Sequence, residues 1–159
     1  AGQKFSAWTG DTGYVTDILS AATTASMPAL PITLTATYAE RDSDGDGMDD
    51  DWETTYLGGL KQNGTQDSDA DGKTDLEEFI AGTHPKDSQS VFKISRVTTG
   101  GKSVLSWSSV SGRVYRVHWS TNLISGFQCL ESNIPFSRTG FTNANGSTGF
   151  YKMDVRLEN

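Results

Sequence analysis

The sequence predicts a mostly β chain that is interrupted by a central segment of two short helices. Runs of alternating apolar and polar residues occur near both ends of the 159-residue chain, and such alternation is typical of half-buried strands. Acidic residues concentrate between these ends, because 14 of the 20 Asp and Glu residues lie within residues 40–53 and 67–78. We therefore divide the chain into residues 1–40, 41–88 and 89–159.

The N-terminal segment, residues 1–40, is predicted to form a small β segment. FSAWTG at residues 5–10 and PITLTATYA at residues 31–39 have the alternation expected of strands. A polar stretch rich in Ser, Thr and Ala separates them. We expect one strand near each end of this segment.

The central segment holds two acidic runs with the same internal order, DSDGDGMDDDWE at residues 42–53 and DSDADGKTDLEE at residues 67–78. Each run has Asp at positions 1, 3 and 5, Gly at position 6, Asp at position 9 and Glu at position 12. This order is typical of the twelve-residue calcium loop, in which oxygen ligands from one short loop surround a hard cation. A disordered acidic linker would not repeat the same placement of glycine and glutamate.

The two loops predict two calcium ions and a set of ligands for each ion. Position 7 of such a loop contributes its backbone carbonyl, which makes the side chain at that position unimportant for binding. The predicted ligands are Asp42, Asp44, Asp46, Met48, Asp50 and Glu53 in the first loop, and Asp67, Asp69, Asp71, Lys73, Asp75 and Glu78 in the second.

Each loop is followed by a short helical pattern. DDWETTYL places Trp52 and Tyr56 four residues apart, and TDLEEFIAG places Leu76, Phe79 and Ile80 on one face. Gly82 is a suitable C-terminal cap, and Pro85 prevents the second helix from continuing. No convincing helical pattern precedes either loop, so we expect loop–helix units rather than complete EF-hands.

The C-terminal segment, residues 89–159, predicts an antiparallel β-sandwich. Strand patterns begin at VFKISRV, SVLSWSSV and RVYRVHWSTN, and continue through GFQCLES, SRTGFTN and FYKMDVRLE. Short strands at this spacing, separated by turns, are typical of sandwiches. Trp107 shares a strand face with Leu105 and is expected in the core, whereas His118 is expected to face solvent. Cys129 is the only cysteine of the chain and is expected to be buried.

Charge and composition exclude several classes of function. The net charge is −7, and the basic residues of the C-terminal segment are scattered, so we expect no nucleic-acid partner. No apolar run is long enough to span a membrane. Calcium loops of this open kind suit the millimolar calcium found outside cells, which predicts a secreted or cell-surface location.

The acidic segment resembles the thrombospondin type 3-like calcium repeats of large secreted bacterial proteins. Those repeats read D-x-D-G-D-G-x-x-D-x-x-E and later A-G-T-D-P, and here the last motif is AGTHP with His84 in the acidic position. The loop pair is also similar to a dockerin, although dockerins usually end the loop in Asp. The resemblance implies calcium binding through the matching loop positions.

The flanking segments resemble two other modules of bacterial surface proteins. FSAWTGDTGY and MPALPITLTATYA resemble the second half of internalin B-repeat-like domains, whose first strands are absent here. The chain is then a fragment of a longer protein, or a partner strand completes the sheet. LSWSSVSGRVYRVHWSTN and FYKMDVRLE resemble strands B, C and F of a fibronectin type III-like sandwich.

These resemblances imply a non-catalytic accessory region of a secreted multidomain bacterial protein. We expect no enzyme activity, because the acids outside the loops form no evident catalytic pair. Recognition of a glycan or a cell surface is the favoured role, with Trp52 and Tyr56 as candidate contacts for the ligand. The alternative is a calcium-rigidified spacer, or a self-assembling extracellular unit, without a ligand site.

Overall fold

The computed structural model describes residues 2–124, 126–144 and 148–158, which form eight strands and two short helices. This confirms the mostly β prediction. The chain divides into two compact units, residues 1–63 and 64–159, so that each unit contains one acidic loop. The division at residues 40 and 88 stays a prediction about sequence modules, and the compact units follow a different boundary.

The first unit is built on a two-stranded antiparallel sheet. Strand β1 (Gln3–Gly10) pairs with β2 (Leu34–Glu40), and a bulge interrupts the register between Phe5 and Ala7. The intervening chain contains one 3-10 turn (Thr12–Tyr14) and returns across an isolated bridge. Both predicted N-terminal strands are therefore present.

Helix α1 (Asp50–Tyr56) follows the first acidic loop directly. The Asp49 side chain caps the helix by accepting a hydrogen bond from the Asp51 backbone N–H at 3.0 Å. The Asp50 backbone N–H donates to the Arg41 carbonyl oxygen at 2.7 Å, which joins the helix start to the end of β2. The loop is thereby closed between a strand and a helix.

The second unit begins with the second acidic loop and helix α2 (Asp75–Ala81). Thr74 and Glu77 form a complete capping box at its start. Gly82 ends the helix in the left-handed conformation, with φ of 76°, as the sequence predicts. Among the described residues each loop leads directly into a short helix, and no α-helix ends at the start of either loop, which confirms the loop–helix prediction.

Six strands of the second unit form two three-stranded antiparallel sheets. Their bounds are β3 (Ile94–Thr99), β4 (Lys102–Trp107), β5 (Arg113–Ser120), β6 (Gln128–Pro135), β7 (Gly140–Asn143) and β8 (Phe150–Leu157). The strand orders are β3-β4-β7 and β6-β5-β8. The buried core contains Leu105, Trp107, Tyr115, Val117 and Ile134, as the alternation along β4 and β5 predicts.

One predicted environment in the sandwich is wrong, and another is less exposed than predicted. Cys129 is exposed, because it lies on the edge strand β6 opposite His118, on the face that points away from the core. The His118 side chain is only 13% exposed, since its Nε2 lies 2.8 Å from Asp154 Oδ2 on the neighbouring strand β8. Neither partner is close in sequence, so local alternation could not reveal these contacts.

None of the helices in the described residues is long and apolar enough to cross a membrane.

Candidate metal centre

The first acidic loop gathers three carboxylates into one small space. Asp42, Asp44 and Asp46 each offer one oxygen, and these oxygens lie within 4.8 Å of one another. Asp42 also holds the loop closed, because Oδ1 accepts from the Gly45 N–H at 2.7 Å and Oδ2 from the Gly47 N–H at 3.0 Å. The loop therefore presents a cluster of carboxylate oxygens.

Glu53 brings a fourth carboxylate to this loop from the first turns of α1. Its side chain is fully buried, and neither of its carboxylate oxygens has a hydrogen-bond partner in the described chain. Asp46 is in a similar state, since Oδ1 accepts from the Met48 N–H and the buried Oδ2 has no partner there. A buried carboxylate without a partner is costly, so this arrangement fits a bound cation.

The second loop repeats the arrangement. Asp67, Asp69 and Asp71 each offer one oxygen, again within 4.8 Å of one another. Asp69 and Asp71 each accept one backbone hydrogen bond through Oδ1. Their Oδ2 atoms are buried and have no partner in the described chain. The free oxygens are therefore those that a cation in the loop would take.

Glu78 closes the second loop as Glu53 closes the first. It is 1% exposed, and its Oε1 accepts a hydrogen bond from the Thr83 hydroxyl at 3.1 Å. Oε2 is buried without a partner in the described residues. Thr83 orients this carboxylate from beyond the end of α2. This role of Thr83 was not predicted from the sequence, although Thr83 lies in the AGTHP motif.

The aspartates at position 9 use their oxygens to close the loops. Asp50 Oδ1 accepts from the Ser43 N–H at 2.8 Å. Asp75 accepts from Ser68 twice, through Oδ1 from the backbone N–H and through Oδ2 from the hydroxyl. Position 9 of such loops often binds calcium through a water molecule, which suits carboxylates already engaged in this way.

The residues at position 7 differ in the two loops, as the backbone role permits. Met48 is 1% exposed, whereas Lys73 is exposed and its Nζ lies 3.9 Å from Glu77 Oε1. Their backbone carbonyls remain the predicted ligands. The buried position of Met48 was not expected from the sequence.

The turn positions of the loops require left-handed backbone. Gly47 and Gly72 at position 6 have φ of 97° and 93°, which glycine adopts without strain. At position 4 the first loop has Gly45 with φ of 79°, but the second has Ala70 with φ of 62°. The second loop therefore contains a strained residue that the first loop avoids.

Electrostatics in both loops favour a positive ion. Burial, followed by the charges of Asp46 and Asp44, raises the pKa of Glu53 to about 7. Burial also raises the pKa of Glu78 to about 7, with further increases from Asp69 and Asp71. A carboxylate with such a pKa is destabilised as an anion, and a nearby cation would reverse this effect.

The predicted aromatic contacts lie together on α1. The rings of Trp52 and Tyr56 have centroids 5.2 Å apart at an interplanar angle of 49°. Both side chains are half-buried, so each offers only part of its surface. The structure brings this predicted pair together, and its role in ligand binding stays a prediction.

A groove in the second unit is a further candidate site. Its volume is about 940 Å³, and the second acidic loop and α2 contribute Lys73, Glu77 and Ile80 to its lining. The residues leading into β3 and the strand β8 contribute, among others, Phe92, Lys93 and Tyr151. The second loop thus forms part of a concave surface with both apolar and charged groups.

Comparison with known proteins identifies one part of the chain. Residues 1–42 match the family model of the divergent InlB B-repeat domain. The match confirms the internalin B-repeat resemblance predicted for the N-terminal segment. No curated protein and no solved structure matches the chain significantly.

Proposed function

We propose that this chain binds two calcium ions, one in each acidic loop, and that the ions stabilise the folded loops. The observation that supports this most strongly is the burial of Glu53 with both carboxylate oxygens unpartnered in the described chain. Glu78 repeats the feature at the equivalent position of the second loop. A cluster of surface acids alone would not require burial of the last one.

The donor set favours calcium over other divalent cations. All predicted side-chain ligands are carboxylates, which suit hard cations, and the described residues around the loops supply no clustered His or Cys. Glu at position 12 supplies two oxygens to a large ion, whereas magnesium requires a smaller octahedral shell. The free energy of calcium binding then contributes to the free energy of folding, because the carboxylates repel one another without the ion.

The wider role that we propose is an accessory, non-catalytic region of a secreted multidomain bacterial protein. The match of residues 1–42 to the divergent InlB B-repeat domain supports this role. The strand orders β3-β4-β7 and β6-β5-β8 support the fibronectin type III-like assignment of the C-terminal sandwich. The loop–helix pairs support the thrombospondin type 3-like assignment of the central segment.

Within that role, the groove of the second unit favours recognition of a glycan. Sugar sites combine an aromatic or apolar surface with a few polar groups, and the lining of this groove includes Tyr151, Lys93 and Glu77. Because the second acidic loop lines the groove, binding there is expected to need calcium. The alternative remains a spacer or assembly unit, which the exposed Leu19, Met27 and Leu30 of the first unit favour.

Thermal unfolding of the full chain tests the calcium proposal. We expect millimolar calcium, but not magnesium at the same concentration, to raise Tm relative to EGTA. Glu53→Gln and Glu78→Gln should each reduce that increase. In EGTA the same variants should be at least as stable as the parent, because each removes a buried uncompensated charge. An unchanged calcium response in both variants would contradict the ligand assignment.

Affinity electrophoresis against neutral and acidic polysaccharides tests the glycan proposal. Retardation in calcium should be lost in EGTA and weakened by Lys93→Ala, which changes the groove. Lys102→Ala is the matched control, because Lys102 is an exposed lysine on β4 outside the groove. Weakening by Trp52→Ala instead would assign recognition to the aromatic pair on α1. Absence of retardation by every polymer would favour the spacer or assembly role.

A further inference from the structure

Arg113, the first residue of β5, reaches the C-terminal end of helix α2. Its Nε donates to the Ile80 carbonyl oxygen at 3.0 Å, and its Nη2 donates to the Phe79 carbonyl oxygen at 2.5 Å. The guanidinium carbon also lies 5.6 Å from the centroid of the Phe79 ring. The last carbonyls of a helix have no partner within the helix, and a cation at that end is favourable.

The same turn of α2 carries the last predicted ligand of the second loop. Glu78 immediately precedes Phe79, and its carboxylate is buried with Oε2 unpartnered among the described residues. Its backbone carbonyl accepts from the Gly82 N–H at 2.7 Å and from the Thr83 N–H at 3.1 Å. The position of the carboxylate and the position of the carbonyls that Arg113 contacts are therefore fixed by one short helical turn.

The end of α2 also packs closely against the connection between β4 and β5. A Cβ atom at position 82 would lie 2.9 Å from Val110 Cγ2, so a larger residue would force Val110 or the end of α2 to move. The Val110 N–H in turn donates to the Tyr115 hydroxyl at 2.8 Å. Tyr115 is 1% exposed and belongs to the sandwich core. Val110 therefore connects the core to the end of α2.

We infer that Arg113 is a positioning residue for the second calcium site and couples its occupancy to the stability of the sandwich. This inference rests on the proposed calcium function. An ion in the second loop fixes Glu78 and hence α2, which holds the carbonyls that Arg113 needs. Because linkage is reciprocal, the docked helix should also raise the calcium affinity of that loop.

The test uses the full chain with Glu53→Gln in the background, so that calorimetry measures calcium binding to the second loop alone. Arg113→Met removes the donors and keeps a similar stem, whereas Arg113→Lys keeps the charge and loses the planar fork. We expect calcium affinity to fall about tenfold for Arg113→Met and less for Arg113→Lys, a typical size for coupling between sites. Arg138→Met is the control, because Arg138 pairs with Glu131 within the sandwich.

Two results would overturn the inference. One is a folded Arg113→Met protein with parental calcium affinity and the parental calcium-induced rise in Tm. The other is an affinity loss of the same size for Arg138→Met, which would indicate general destabilisation. If the Glu53→Gln protein itself binds no calcium, the proposed function fails at the second loop rather than the coupling.

Amide hydrogen exchange of the unsubstituted protein gives a test that does not depend on any variant folding. Calcium should increase protection at residues 109–120 as well as in the second loop and α2, because Arg113 and Val110 connect them. Added protection that stops at the end of α2 would contradict the coupling, whatever the calcium affinity of the variants.

Discussion

At the scale of single residues, Glu53 and Glu78 carry carboxylates into positions that water does not solvate. Each ends a loop whose other acids are close enough to raise its pKa, and each lacks a partner for at least one oxygen within the described chain. Sequence order predicted both as ligands. The burial could not be predicted, because it depends on how the folded chain covers these side chains and not on the local residue order.

The raised pKa values predict a specific pH dependence. In the metal-free protein the folded state holds more protons than the unfolded state between pH 4.5, the ordinary pKa, and about 7. Stability without metal should therefore fall as pH rises through this range. Calcium affinity should change in the opposite direction and increase up to about pH 7, since protons compete with the ion for the same carboxylates.

Calorimetry in buffers of different ionisation enthalpy measures this effect as proton release on calcium binding. Release near pH 6 that disappears near pH 8 is the expected result. Glu53→Gln and Glu78→Gln should each remove part of it. Constant affinity and no proton release across that range would show that the two glutamates do not bind the ion.

Ala70 provides a second prediction at this scale. Its φ of 62° is strained for a residue with a Cβ atom. The equivalent position of the first loop is occupied by Gly45, which adopts a positive φ without that strain. Ala70→Gly should increase the free energy of unfolding by about 1 kcal/mol. Gly45→Ala should decrease it by a similar amount, since an added Cβ meets nothing within 4 Å and only the backbone strain remains. Denaturant unfolding in calcium measures both changes, and a loss of stability in Ala70→Gly would contradict the account.

At the scale of elements, the loops and their helices were the most predictable part of the chain. The glycines at position 6, the helices that follow the loops and the Gly82 cap depend on residues within a short stretch of sequence, whereas the calcium ligands stay a prediction. The sandwich strands were also predicted, with boundaries that differ by a few residues, because alternation is local. The exposure of the His118 and Cys129 side chains was not predicted, because it depends on neighbours on adjacent strands.

Gly82 yields a prediction about how α2 ends. Gly82→Ala should destabilise the second unit by more than 1 kcal/mol, because it adds left-handed strain to a contact of 2.9 Å with Val110. Gly45→Ala adds backbone strain without a steric contact. It is therefore the control that isolates the contribution of the Val110 contact to the loss of stability. Denaturant unfolding of both variants separates the two contributions. Equal losses would show that the packing of α2 against Val110 contributes little.

At the scale of the whole molecule, the two acidic loops lie in different compact units, one in residues 1–63 and one in residues 64–159. The sequence suggested a single central segment, since the loops are neighbours along the chain. The compact unit to which a loop belongs depends on the tertiary contacts of the helix that follows it, and these contacts are long-range. Arg113, for example, lies more than thirty positions from the carbonyls that it contacts in α2. Calcium is therefore expected to stabilise both units, each through its own loop.

The most direct measurement is the stoichiometry of calcium binding by isothermal titration calorimetry on the full, metal-stripped chain. We predict two ions for the parent protein, one for Glu53→Gln, one for Glu78→Gln and none at comparable affinity for the double variant. Circular dichroism of the same samples is the control for folding. Each variant should have either the spectrum of the calcium-bound parent or the spectrum of the metal-free parent, so that a lost ion does not reflect misfolding. A parent chain that binds no calcium at millimolar concentration, or variants that still bind two ions, would contradict the central claim.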